Sequence, residues 1–153
     1  MPSRRDLIKM PDEEMDAFLH ERHTMNVATI NHDGTIHLVA MWYGFLDGDP
    51  AFWTYGKSQK ILNLQRDSRV TCLVEAGERY EALRGVELVG KGEVLTSRDQ
   101  ILAVGASVYE RYFGPVTEET APVLEVVGAK RLAVRVHVDR IVSWDHAKLG
   151  GTY

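Results

Sequence analysis

The sequence predicts a mainly β fold with peripheral helices, arranged as a small antiparallel barrel. Three observations lead to this prediction: short apolar runs recur along the chain, Gly and Pro fall singly between them, and the last run alternates apolar with polar residues. Six strands are predicted, and several follow one another in hairpins, so the sheet is mostly antiparallel. A closed or nearly closed barrel removes the unpaired edges of such a sheet.

The composition limits the kind of protein. Hydrophobic residues make up 44% of the 153 residues and charged residues 26%, which is typical of globular proteins. No apolar run approaches the ~18–20 residues of a membrane span. The N-terminal residues 1–5 have no apolar segment behind them, so we expect neither membrane insertion nor a signal peptide. The expected organisation is a single domain over residues 1–153.

The net charge and the cysteine content limit which partners the protein can be expected to bind and in which compartment it is expected. The formal net charge is −4, whereas nucleic-acid-binding domains are usually basic, so we expect no nucleic-acid partner. The lone cysteine, Cys72, excludes an internal disulfide framework and a multi-cysteine zinc site. Its apolar strand favours a buried structural thiol over a nucleophile. Together these features favour a cytoplasmic protein.

The first elements are a helix and two hairpins. Pro11 suits the first turn of a helix, and the acidic residues 12–14 follow where the helix dipole favours negative charge. Turn signals at residues 31–34 and 47–50 then separate three predicted strands. These strands span residues 25–30, 36–45 and 51–55.

A short helix and two further strands come next. Residues 56–60 break the strand pattern, and Ser58 is a good N-cap for a helix that ends near Asp67. Strands are predicted at residues 69–75 and 86–95. Gly90 and Gly92 inside the second of them indicate a bulge or a tight bend.

The C-terminal part combines helices with one long strand. Ser97 and Gln100 fit a capping box, which opens a helix that runs to about Tyr112. A weaker helix is predicted at residues 117–127. Residues 130–144 form the last strand, because apolar and polar residues alternate there with a period of two.

The turn before the short helix carries the strongest chemical signal. A helix N-terminus presents free N–H groups and partial positive charge, which suit an anion. Lys57 and Lys60 add two cations within one turn, and Thr54 and Ser58 add hydroxyl groups. This local pattern fits either a phosphate site or a solvated lysine pair beside an ordinary N-cap.

Five segments in a characteristic order extend this interpretation to nearly the whole chain. They are residues 10–14 with Phe18 and Leu19, residues 26–34 with residues 37–43, residues 54–64, residues 67–70, and residues 142–149. In their order and spacing they resemble the split β-barrel flavin and deazaflavin oxidoreductase superfamily, which has the fold of pyridoxamine 5'-phosphate oxidase. No single segment is a strong motif.

The resemblance implies a six-stranded split β-barrel of the FMN-binding type, and a homodimer with its cofactor sites at the subunit interface. The implied phosphate ligands are Thr54, Lys57, Ser58 and Lys60, with Asn63 close by. The implied ring-binding residues are Val39, Ala40, Met41 and Trp42, and Trp53 belongs to the same cofactor site. Trp144, His146 and Lys148 are expected to reach the cofactor bound mainly to the other subunit.

The resemblance further implies an oxidoreductase without a dedicated catalytic residue. The ending of the chain is most similar to the actinobacterial branch that uses the deazaflavin coenzyme F420, and the tail at residues 148–153 lacks the substrate-binding arginine of pyridoxamine-phosphate oxidase. The expected reaction is hydride transfer from reduced F420 to a conjugated small molecule such as a quinone, enone or tetrapyrrole. The alternatives are an FMN-dependent oxidase or reductase, a deazaflavin carrier or sensor without turnover, and a barrel that binds an unrelated apolar ligand.

Two further groups of residues have both a functional and a structural interpretation. Tyr109 and Tyr112, at the end of the long helix, either form a wall of the substrate pocket or pack in the core. The six histidines show no metal-ligand spacing, so we expect no metal site.

Overall fold

The structure, a computed structural model, describes residues 1–151, so the last two positions of the predicted domain and tail lie outside it. The strands are β1 (Thr24–Ile30), β2 (Ile36–Trp42), β3 (Gly44–Leu46), β4 (Asp49–Tyr55), β5 (Arg69–Ala76), β6 (Arg84–Leu95) and β7 (Arg131–Asp145). The helices are α1 (Arg4–Leu7), α2 (Asp12–Glu21), α3 (Gln59–Arg66), α4 (Arg98–Phe113) and α5 (Ala121–Gly128). Short 3₁₀ turns occur at Tyr80–Ala82 and His146–Leu149.

The strands form one antiparallel sheet in the order β2-β1-β5-β6-β7-β4-β3. Among the described residues β2 and β3 are its two edges, and no ladder pairs them. The sheet curls into a half-barrel with an open seam. Of the predicted closed or nearly closed barrel the closed form is wrong, and the open seam agrees with a split barrel. We call the gap between β2 and the β3–β4 hairpin the seam.

The prediction of six strands is also wrong, because the predicted strand at residues 36–45 is two strands. The chain bends at Tyr43, which is completely buried and donates its hydroxyl to the carbonyls of Leu19 and Arg22. Gly44 then packs so closely that an added Cβ would lie 2.5 Å from the Ser107 Oγ. This buried anchor separates β2, which pairs with β1, from β3, which pairs with β4.

The predicted hairpins and the bulge are confirmed. Both hairpin turns contain a glycine in the left-handed region, with φ of 86° at Gly34 and 85° at Gly48. The register between β6 and β7 shifts at Val89 and Gly90, as the glycine in that strand predicted.

Helix ends differ from the predictions in detail. Pro11 lies at the N-cap of α2, one residue before the helix. Ser97 is the N-cap of α4 but its side chain makes no capping hydrogen bond, so the predicted capping box is absent. Helix α5 begins later than predicted, because Thr117 and Thr120 bond to each other in a preceding turn.

Two apolar clusters hold the fold together. The first joins the concave side of the sheet to α2 and α3, and includes Val27, Val74 and Ile61. The second lies where α4 and α5 cover β4 and β7, and includes Trp53, Val104 and Leu124. Among residues 1–151 no helix is both long enough and apolar enough to span a membrane.

Candidate functional site

A cavity of about 420 Å³ lies at the seam. Strand β2 contributes one wall and β4 the other, although these strands do not pair with each other, and α4 and α5 cover the cavity. We call it the seam cavity. It is lined by Met41, Trp42, Trp53, Gly105, Val108, Tyr109, Phe113, Val123, Leu124, Val127 and Arg131. Ten of these eleven residues carry no formal charge, so the cavity suits a flat apolar group.

Two glycines fix the Trp53 indole in the seam cavity. A Cβ at Gly105 of α4 would lie 2.6 Å from the Trp53 Cη2, and a Cβ at Gly128 of α5 would lie 2.8 Å from the Cζ3. Both helices can approach the ring only because these positions lack a side chain. Trp53 is 8% exposed, so the indole is held rigidly as one surface of the cavity.

Aromatic side chains at the end of α4 surround one side of the seam cavity. Tyr109, for which both a pocket wall and core packing were open, lines the cavity and also packs against the second core cluster. Tyr112 does not line the cavity, but stacks on Trp42 with ring centroids 3.7 Å apart. The Tyr112 hydroxyl donates to the His23 carbonyl, and burial raises its pKa. Tyr112 therefore acts on the cavity by holding Trp42.

A cationic and hydroxyl-rich set lies at the junction of β4 and α3. The Lys60 Nζ donates to the Thr54 Oγ1 across 3.0 Å, and both residues are buried. Burial lowers the pKa of Lys60, and the nearby charge of Arg131 lowers it further. The Ser58 Oγ at the α3 N-cap is buried and has no hydrogen-bond partner. Since these groups lack an anion within the described chain, they fit the phosphate of a bound ligand.

Arg131 connects this set to two cavities. It lines the seam cavity and a second cavity of about 660 Å³, which we call the basic cavity and which also contains Lys57. Its guanidinium lies over the Trp53 and Tyr55 rings, 5.1 Å and 4.8 Å from their centroids. Its Nε is buried and has no hydrogen-bond partner. Arg131 was not among the site residues predicted from the sequence. If the last strand had been paired with residues 51–55, Arg131 would have been placed opposite Tyr55.

Comparison with known proteins identifies the family. The family model described as pyridoxamine 5'-phosphate oxidase matches residues 11–145. The chain belongs to this family. It is thus a member of the split β-barrel flavin and deazaflavin oxidoreductase superfamily, as its sequence pattern suggested. The family includes oxidoreductases, and its fold binds flavin or deazaflavin cofactors.

Solved structures support the same assignment. A conserved hypothetical protein from Mycobacterium tuberculosis is 42% identical, with a TM-score of 0.94 over 99% of this chain and 95% of that one. An F420 reductase is 26% identical, with a TM-score of 0.64 over 82% of this chain and 94% of that one. A heme storage protein from Vibrio cholerae has the same fold at 14% identity, with a TM-score of 0.69 over 89% of this chain and 97% of that one. No curated protein matches the chain.

The structure separates the four residues that the family resemblance placed on β2. Met41 and Trp42 line the seam cavity. Val39 lies on the same face of β2 as Met41, and both pack against the first core cluster, but Val39 does not line the cavity. Ala40 lies on the exposed face of the strand, because side chains alternate along β2.

Asn63, expected near the phosphate, is completely occupied by hydrogen bonds within the protein. Its amide nitrogen donates to the Thr29 Oγ1 at 3.0 Å and to the Asn31 Oδ1 at 2.9 Å. Its amide oxygen accepts from Gln59 and Arg66. These four bonds use the full capacity of the amide, so Asn63 joins α3 to β1 and has no free group for a ligand.

The C-terminal site residues lie away from the seam in the same chain. Trp144 packs against Gly85 near the end of β7, and the His146 Nδ1 lies 2.8 Å from the Tyr80 carbonyl oxygen. Lys148 pairs with Glu14 at 2.9 Å. Trp144 is thirteen positions beyond Arg131 on β7, roughly 40 Å of strand at ~3.3 Å per residue.

Two remaining predictions concern metal and thiol chemistry. Residues 1–151 contain no group of three or more His, Cys, Asp or Glu side chains that could hold a metal ion. Cys72 is completely buried, and burial raises the pKa of its thiol to about 12. The prediction that it is an inert structural residue is in keeping with both properties.

Proposed function

We propose that the protein is an F420-dependent oxidoreductase that reduces a conjugated small molecule by hydride transfer. One observation carries the proposal: Arg131 joins an apolar cavity, suited to a flat ring, to a cationic site that lacks an anion. A deazaflavin combines a flat tricyclic ring with a phosphate. A ligand of this kind would satisfy both parts of the site at once.

The phosphate would be held by Lys60, Thr54 and Ser58. Lys60 supplies a charge that is already directed by its hydrogen bond to Thr54. Ser58 supplies a buried hydroxyl without a partner, beside the free N–H groups of the first turn of α3. Lys57 is exposed and would contribute a weaker, solvent-screened interaction.

The chemistry itself would come from the cofactor, which supplies the hydride when it is bound. The protein residues would position the reactants and keep water out. Trp53, fixed between two glycines, and Met41 would provide rigid apolar surfaces for the ring. Tyr109 carries the one hydroxyl among the residues lining the seam cavity, and it or solvent would supply the accompanying proton.

We propose that the functional unit is a homodimer. The outward face of β2 carries exposed apolar side chains, with Ile36 62% and Leu38 67% exposed, as expected of a surface that a second copy covers. Trp144 at the far end of β7, and His146 and Lys148 in the 3₁₀ turn after it, lie away from the seam of their own chain. In a dimer they would complete the cofactor site of the partner subunit.

The test is titration of the purified protein with F420 and, separately, with FMN, followed by fluorescence. Saturable F420 binding with a dissociation constant below tens of micromolar, tighter than that of FMN, supports the proposal. Tighter binding of FMN would identify FMN as the cofactor in place of F420, because the same cations would hold the FMN phosphate. Binding of neither cofactor would overturn the proposed function.

Turnover separates an enzyme from a carrier. Reduced F420 is mixed with the protein and a panel of quinones, enones, nitroaromatics and tetrapyrroles, and its reoxidation is followed by absorbance. Catalysed reoxidation by one acceptor class supports an oxidoreductase. Tight F420 binding without reoxidation by any member of the panel would instead identify a carrier or sensor.

A further inference from the structure

The end of α4 is fixed to the end of α2 by one arginine. The Arg111 guanidinium donates to the Leu19 carbonyl at 3.2 Å and to the Arg22 carbonyl. It also donates to the His20 carbonyl at 3.4 Å. The last carbonyls of a helix have no partner within that helix and carry partial negative charge, so a cation is favourable at this position.

Two aromatic rings also contact the guanidinium. The Arg111 Cζ lies 4.6 Å from the centroid of the Tyr43 ring and 5.1 Å from that of the Phe45 ring. Tyr43 donates its hydroxyl to two of the carbonyls that Arg111 binds, those of Leu19 and Arg22. Among the described residues no carboxylate forms an ion pair with Arg111. Its role therefore depends on the planar fork of a guanidinium, which can bind several carbonyls and stack on rings.

Helix α4 has an anchored side and a cavity side. Ser107 and Arg111 are four positions apart, and the Ser107 Oγ accepts a backbone N–H of β3 at 2.9 Å. Gly105, Tyr109 and Phe113, also at intervals of four, line the seam cavity. Residues two positions apart on a helix point about 200° apart, so the two sets lie on opposite sides of α4. The contacts on the anchored side therefore place the cavity wall on the other side.

The last turn of α4 contacts both edges of the seam. Among the described residues no ladder pairs β2 with β3. Tyr112 stacks on Trp42 of β2 with ring centroids 3.7 Å apart, and Arg111 lies over Phe45 of β3. The position of this turn therefore affects how far apart the two edges lie.

We infer that Arg111 is a positioning residue for the seam cavity. It holds the end of α4 against α2 and β3, and so keeps Tyr109 and Phe113 at the distance from Trp42 at which the cavity closes on a flat ring. Arg111 does not line the cavity, so it acts through α4. The inference rests on the proposed function only for the identity of the ring that is bound.

The first test is fluorine NMR of the cofactor-free protein, labelled uniformly with fluorotryptophan. Of the three tryptophans, Trp42 and Trp53 line the seam cavity and Trp144 lies at the far end of β7. Each resonance is assigned by the Trp→Phe variant that removes it. In Arg111→Gln we expect the Trp42 and Trp53 resonances to shift or broaden, while the Trp144 resonance stays unchanged.

Two further variants separate positioning from a general loss of stability. Val74→Ala removes buried methyl groups from the first core cluster, to which no residue of α4 belongs. It should lower the free energy of unfolding without a selective effect on Trp42 and Trp53. Arg111→Lys keeps the charge but loses the fork, so its effect should be smaller than that of Arg111→Gln. Arg111→Lys also replaces Arg111→Gln in both tests if the latter does not fold.

The second test is the rate at which F420 dissociates, measured by stopped-flow fluorescence. We expect dissociation about tenfold faster in Arg111→Gln, because a loosened wall holds the ring less firmly. Arg111→Lys should lie between this variant and the wild type, and Val74→Ala should dissociate as the wild type does. If FMN binds in place of F420, the same measurement is made with FMN.

Selective changes at Trp42 and Trp53 together with faster dissociation support the inference. Unchanged resonances, equal changes at all three tryptophans, or dissociation at the wild-type rate would each overturn it. If neither F420 nor FMN binds to the wild type, the proposed function fails. The Trp42 and Trp53 resonances then decide by themselves whether Arg111 positions the cavity.

Discussion

The Lys60 ammonium donates to the Thr54 hydroxyl across 3.0 Å while only 8% of the lysine is exposed. Among the described residues no carboxylate pairs with this charge, and Arg131 adds a second cation near it. A buried charge without a counter-ion is unfavourable in the free protein. The charge becomes favourable when an anionic ligand binds. The free protein is therefore less stable than it would be without the charge, and the ligand binds more tightly.

Lys60→Met should therefore weaken cofactor binding by roughly 1.5–3 kcal/mol, because it removes a charged hydrogen bond. In the cofactor-free protein the same change should leave the free energy of unfolding unchanged or raise it. Fluorescence titration and urea unfolding measure the two effects. Lys57→Met is the matched control, because Lys57 is exposed, and its loss of affinity should be smaller. Equal losses for both variants would contradict the assignment of Lys60.

Gly105→Ala should destabilise the protein, although alanine is the better helix former by about 1 kcal/mol. The new methyl group would collide with the Trp53 indole, and overpacking of this kind costs about 1–3 kcal/mol. Urea unfolding gives the change in free energy, and a change in the tryptophan fluorescence, to which Trp42 and Trp144 also contribute, is expected when the Trp53 ring is displaced. Ala103→Gly, at an exposed position of the same helix, measures helix propensity alone. A more stable Gly105→Ala protein would show that the ring can move freely.

Leu38→Lys should convert the proposed dimer into a monomer, because it places a charge in the exposed apolar face of β2. Cofactor affinity should fall at least tenfold in parallel, since the site would lose the C-terminal residues of the partner subunit. Sedimentation velocity and fluorescence titration measure these changes. Val126→Lys introduces the same charge on α5, where Val126 is 77% exposed, and should remain dimeric. An unchanged dimer in Leu38→Lys would exclude this face as the interface.

Tyr43 should make the protein less stable in strong base. Burial raises the pKa of its hydroxyl from 10.0 to about 12, so the folded state keeps a proton that the unfolded state loses. The stability that this provides is complete below pH 10 and disappears as the pH rises from 10 to 12. Tyr43→Phe should reduce this pH dependence and cost about 0.5–1.5 kcal/mol at neutral pH, because it removes a donor to two carbonyls. Urea unfolding between pH 8 and 11 tests this prediction. If the free energy of unfolding fell with pH as steeply in Tyr43→Phe as in the wild type, the prediction would be contradicted.

Local features of the fold were predictable because they depend on neighbouring residues. The glycines at positions 34 and 48 specify the two hairpin turns, and Ser58 marks the start of α3. Gly90 inside a predicted strand indicated the bulge in β6. The bend at Tyr43 was not predictable, because its cause is a hydrogen bond to residues about twenty positions earlier.

The sequence by itself determined the hairpins and the cluster of Thr54, Ser58 and Lys60, since these follow from residues close together in the chain. It also determined the fold family, through the order of five segments along nearly the whole chain. Only the tertiary structure decided which groups meet. The β4–β7 register brings Arg131 opposite Tyr55 and next to Lys60, and the bend at Tyr43 opens the seam between β2 and β4. Tertiary packing also uses all four hydrogen bonds of Asn63, which the family resemblance had placed close to the phosphate. Long-range pairing and burial set these relationships, and neither can be inferred from a local pattern.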